Sequence, residues 1–163
     1  MFDTFTNLRY PTPQQGLIWL RRKQKVRPWE IAKELNVSRP FVSKAQRIAE
    51  ARIDKLLRHA ASINRIKVRH INTRYGIAVG FCPAYNTDTY ILFSPKIGVQ
   101  TWFAHQGECG TCDQLNQCKD TLHQLAEEWE VPIPDDRPPT DLSLYLFDVI
   151  MRRLKWVKDP EEV

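Results

Sequence analysis

Apolar residues recur at three- and four-residue steps through Phe41, Ala45, Ile48, Ala49, Ile53, Leu56, Leu57, Ala60 and Ile63. That period predicts one face of a long α-helix. Ser38 is placed to cap its start. Two shorter helices are predicted upstream. Thr12-Pro13-Gln14-Gln15 combines a capping hydroxyl, a proline at the first helical position and a glutamine that can reach back. The helix it opens should run to about Lys25. Pro28 opens the next, with Ile31, Ala32 and Leu35 on its inner face. Asn36-Val37-Ser38 then turns the chain into the long helix.

After Tyr75-Gly76 the texture changes. Residues 77–81, 90–93 and 99–103 are short apolar runs separated by turn-forming stretches at 83–88 and 94–98, which predicts a three-stranded antiparallel sheet. Asp113 is placed to cap a further helix with Leu115, Cys118, Leu122, Leu125 and Trp129 on one face. Residues 131–139 hold four prolines and two aspartates and are expected to be a linker. Thr140 or Asp141 should cap a last helix reaching about Lys155. That helix is apolar on most sides, with Leu142, Leu144, Tyr145, Leu146, Phe147, Val149, Ile150 and Met151, so it should lie in a core or a dimer interface. The expected fold class is α+β. Residues 1–65 form a helix-turn-helix domain with a long third helix. Residues 66–163 form a small antiparallel sheet plus helices around a four-cysteine metal site.

Charge sharpens this division. Residues 1–75 carry 17 Lys/Arg against 5 Asp/Glu, a net of +12, and residues 76–163 carry 7 against 14, a net of −7. A basic half joined to an acidic half points to a polyanion partner for the first half only. No apolar run approaches the roughly 18–20 residues that span a bilayer. Met1-Phe2-Asp3-Thr4 lacks the basic-then-apolar order of a secretory leader. A cytoplasmic protein with no membrane partner is expected.

The segment from Pro28 to Arg47 fits a helix-turn-helix position by position. Ala32 is the small residue that lets two helices cross closely. Ile31, Leu35 and Val37 flank the turn, and Val42 supplies the buried aliphatic of the recognition helix. Asn36 stands where glycine is usual, and Asn tolerates the left-handed conformation. Ser38, Arg39, Pro40, Ser43, Lys44 and Arg47 then project outward from the first turns of the third helix, the part that a recognition helix presents to the major groove. Arg39 or Lys44 can take guanine O6 and N7, and Ser38 and Ser43 suit phosphates or base edges. Arg21, Arg22, Lys23, Lys25 and Arg27 form a second basic run suited to the DNA backbone. The pattern Ile31-Ala32-x2-Leu35-x-Val37-Ser38-x3-Val42-Ser43 resembles the helix-turn-helix of archaeal Tfx-type regulators and of sigma-factor region 4 or LuxR-type domains. The resemblance covers residues 12–60. It implies double-stranded DNA as the partner and a transcriptional role. Paired half-sites make a homodimer the expected state, and docking on the transcription apparatus is the protein-interaction alternative.

The chain has four cysteines, Cys82, Cys109, Cys112 and Cys118. In a reducing compartment such a cluster points to metal rather than disulfides. Thiolates three and six residues apart can converge on one centre, and Cys82 can complete a four-sulfur shell. Cys82-Pro83 is a pair common at cluster ligands, and Gly107 and Gly110 flank Cys109. The Cys-x2-Cys-x5-Cys spacing with a distant fourth cysteine resembles the ligand sets of WhiB-like proteins and of oxygen sensors of the fumarate–nitrate reduction type, which implies a [4Fe–4S] cluster and redox- or oxygen-responsive regulation. The long third helix is the expected route from that cluster to the recognition surface. Zn2+ is the rival metal, on four cysteines or on three with His105, although His105 reads more simply as a loop histidine. No nucleotide-binding loop, nucleophile elbow or zinc-protease motif is present, and no enzyme activity is expected.

Overall fold

The computed structural model describes residues 8–157, so the leader reading of residues 1–4 lies outside the described residues. The fold is α+β, and the described residues form five α-helices and a four-stranded antiparallel sheet in the order β1-β2-β3-β4. It divides into two compact units, residues 1–102 and 103–163.

In the first unit, α1 spans Pro13–Lys23, α2 Pro28–Leu35 and α3 Arg39–Ile63. The capping box at α1 forms as expected: Gln15 N–H donates to Thr12 Oγ1 at 3.2 Å, and Thr12 N–H donates to Gln15 Oε1 at 3.0 Å. The helix ends two residues before the expected Lys25, which itself takes φ +66°. Ile18, Ile31, Ala32, Val42 and Ala45 make one buried cluster, so all three helices contribute to one core. Further along α3, Ile53 and Leu57 are fully buried. Phe41 and Ile63, at the two ends of the predicted stripe, are exposed, although Val42 beside the one and Ala60 and Ala61 near the other are buried.

The sheet comprises β1 Lys67–Asn72, β2 Ile77–Cys82, β3 Thr87–Ser94 and β4 Gly98–Phe103. Strand β1 was not expected. It lies at the sheet edge, carries Lys67, Arg69 and His70, and shows no alternating burial, so it lacks the period-two signal on which strand prediction depends. A register irregularity between Val68 and His70 further breaks the pattern. Strands β1, β2 and β3 contact α3, which is why the sheet belongs to the first unit and the boundary falls at 102/103 rather than the expected 65/66.

In the second unit, a short 3-10 turn at Cys109–Thr111 precedes α4 (Leu115–Glu128) and α5 (Pro139–Arg153). Leu122, Leu125, Trp129, Leu142, Leu146, Phe147 and Ile150 are buried. Two expectations about caps fail here. Gln114 rather than Asp113 is the N-cap of α4 and makes no side-chain cap bond. Pro138 is the N-cap of α5, because Pro139 suits the first helical position and draws the start forward. Leu144 and Tyr145 stay exposed, so α5 buries one face and not most sides.

Candidate nucleic-acid interface and cysteine loop

Local chemistry builds the α2–turn–α3 segment. Arg27 N–H donates to Glu30 Oε2 at 3.0 Å and starts α2. Asn36 ends it at φ +54°, and Val37 N–H reaches back to the Ala32 carbonyl at 2.9 Å. That left-handed cap is the turn between the two helices. Ser38 then caps α3, its Oγ accepting from Phe41 N–H at 3.2 Å. With Val42 and Ala45 buried, the opposite side of the first turns carries Ser38, Arg39, Pro40, Ser43, Lys44 and Arg47, all exposed. Three cations and two hydroxyls therefore stand on one convex helical surface, and the helix N-terminus adds its partial positive charge. Lys33, exposed on α2, adds a further cation that the reading of the 21–27 run passed over.

The second basic run divides by burial. Lys25 and Arg27 are exposed. Arg21 pairs with Glu34 at 2.7 Å. Arg22 donates to Gln46 Oε1 at 3.2 Å and to the Val26 carbonyl at 3.0 Å, tying α1 to α3. Lys23 is only 5% exposed, with Nζ 5.2 Å from the centre of the Trp19 ring. A sequence run of cations cannot distinguish these roles, since burial is set by the rotation of α1 against its neighbours.

The four cysteines are all reduced. Cys82 ends β2 in the first unit, opposite Thr87, and is 1% exposed. Cys109, Cys112 and Cys118 belong to the second unit and are half-buried, exposed and half-buried. Cys112 N–H donates to the Cys109 carbonyl at 3.2 Å, closing the Cys-x2-Cys turn. The Cys109 thiol lies 3.7 Å from Thr140 Oγ1. Burial pushes the Cys118 thiol above its ordinary ionisation range, and the neighbouring Cys112 and Cys109 sulfurs add to the rise. Among the described residues no group of three or more His, Cys, Asp or Glu is drawn together as a metal site. The expected four-sulfur shell is thus not assembled, and its members divide between the two units. His105 Nδ1 lies 2.7 Å from the Phe103 carbonyl.

No family model, curated protein or solved structure matches the chain. No described helix is long and apolar enough to cross a membrane.

Proposed function

We propose that the chain is a helix-turn-helix DNA-binding regulator of transcription, acting as a homodimer on paired half-sites, with a metal centre on the cysteines of its second half. The observation that carries the DNA reading is the exposed Arg39, Pro40, Ser43, Lys44, Arg47 surface on a Ser38-capped helix, in the half of the chain with net charge +12. Such a surface complements a major groove, with Arg39 on a base edge and Lys44 and Arg47 near phosphates.

Binding of the full chain to selected duplex DNA, measured against salt, tests it. Arg39→Ala with Lys44→Ala should weaken binding by roughly 2–4 kcal/mol and flatten the salt dependence by about one unit for each phosphate no longer neutralised. Unchanged affinity in the double variant defeats the DNA reading and favours an adaptor of the transcription apparatus.

The metal half takes two forms. A [4Fe–4S] cluster on Cys82, Cys109, Cys112 and Cys118 adds redox- or oxygen-responsive control, whereas Zn2+ stabilises without sensing. The cysteine spacing supports the cluster, and the Cys-x2-Cys turn closed by Cys112 N–H on the Cys109 carbonyl suits either metal. Anaerobic purification with a visible spectrum and iron, sulfide and zinc analysis separates the two.

A further inference from the structure

We infer that Phe41 sets base specificity in the proposed DNA interface, its ring packing on the 5-methyl group of a thymine in the major groove. The inference rests on the DNA half of the proposed function and is independent of any metal.

The first argument is where the ring lies. Phe41 opens the apolar stripe of α3, yet it is 42% exposed, while Val42 and Ala45 beside it turn into the core. A single exposed apolar side chain is ordinary on a protein surface. This one stands among cations. Arg39, Lys44 and Arg47 are exposed on the same turns, with Ser38 and Ser43, and no carboxylate occurs in the sequence between Glu34 and Glu50. Lys44 is three residues on and adjoins Phe41 on the helix surface. Helical side chains lean toward the N-terminus, so the ring reaches over the Ser38 turn, the end that a recognition helix presents to the groove. The backbone beneath is held, because Phe41 N–H donates to Ser38 Oγ at 3.2 Å.

The second argument is what such a ring can meet. A duplex drawn onto Arg39, Lys44 and Arg47 must also cover Phe41. Phenylalanine neither donates nor accepts a conventional hydrogen bond. Over the cytosine amino group or a purine N7 it displaces water and returns no partner, which is costly. The thymine methyl is the apolar group of the major-groove edge, and phenylalanine is among the side chains that pack on it. Thymine is therefore favoured twice, by burial of its methyl and by the penalty on the alternatives. The neighbouring cations hold the duplex without regard to sequence.

The test uses the full chain, with duplexes that it enriches from a random-sequence pool as the probe. Each thymine of the enriched site is replaced singly by deoxyuridine, which removes the methyl and leaves the pairing edge intact. Affinities are measured for wild type, Phe41→Ala and Phe41→Leu, with circular dichroism and thermal melts checking the fold. One thymine in each half-site should be sensitive. Its replacement should weaken wild-type binding about fourfold, the value of one buried methyl. In Phe41→Ala the same replacement should change nothing, and in Phe41→Leu, which keeps an apolar side chain, the effect should be smaller than in wild type. A pool enriched by Phe41→Ala should lose its preference for thymine at that position. The inference is overturned if no thymine is sensitive in wild type, or if the sensitivity persists undiminished in both variants. In either case the DNA reading stands, since the enriched duplex is still bound. A wild-type chain that enriches no duplex defeats both.

Discussion

Gly76 takes φ +67°, and a side chain added there runs into the six-membered ring of Trp19. Trp19 is itself fixed on three sides. Its Nε1–H donates to the Thr73 carbonyl at 3.1 Å, Phe93 meets it edge-on at 5.3 Å, and Lys23 lies over its face. Gly76→Ala should therefore lose on two counts. The left-handed backbone costs a non-glycine residue about 1–2 kcal/mol, and overpacking against a ring that cannot yield adds about 1–3 kcal/mol. Denaturant unfolding should show a stability lowered by about 2–5 kcal/mol, with the slope of the transition unchanged. Tyr75-Gly76 was legible as a break in the chain, but it is the turn between β1 and β2 and not the boundary between helix and sheet. The Trp19 contact was not legible, because it joins residues more than fifty positions apart.

Helix α3 carries two duties at its start, and one residue separates them. Ser38 caps the helix through Phe41 N–H and also stands at the exposed recognition surface. Ser38→Ala removes the cap and should cost about 1 kcal/mol of stability. Ser38→Asp keeps the cap and improves the charge at the helix N-terminus, so stability should hold or rise. The same aspartate repels phosphate, so DNA affinity should fall in Ser38→Asp despite the intact fold. Thermal melts and salt-dependent binding of the two variants give opposite orders if both duties are real. At this scale the helices were legible because capping is local. Thr12, Pro13, Pro28, Asn36 and Ser38 all act within four residues of their partners. Strand β1 was not legible, since an edge strand needs only one paired side and its charged residues carry no alternation.

For the molecule as a whole, the sheet belongs with the helix-turn-helix, and α4 and α5 form a unit with their own buried residues. Residues 1–102 should therefore fold when produced alone, giving a cooperative melt and native-like helical circular dichroism. A piece ending at residue 65 should not, because α3 would lose its packing against β1, β2 and β3. If the shorter piece melts as cooperatively as the longer one, the sheet is dispensable to the first unit. The proposed DNA binding should travel with residues 1–102.

Sequence alone determined what depends on neighbours along the chain: the starts of the first three helices, the left-handed turn at Asn36, the outward cations of α3, the charge division and the Cys-x2-Cys turn. Each is set by interactions over a few residues, and such interactions leave a readable spacing. Tertiary structure decided which cations of the 21–27 run reach solvent, where one unit ends, and that Cys82 and the three later cysteines belong to different units. Those outcomes depend on which faces of α1, α3 and the sheet are covered. Packing chooses such faces by burying apolar area against residues distant in the chain, and no local spacing encodes that choice.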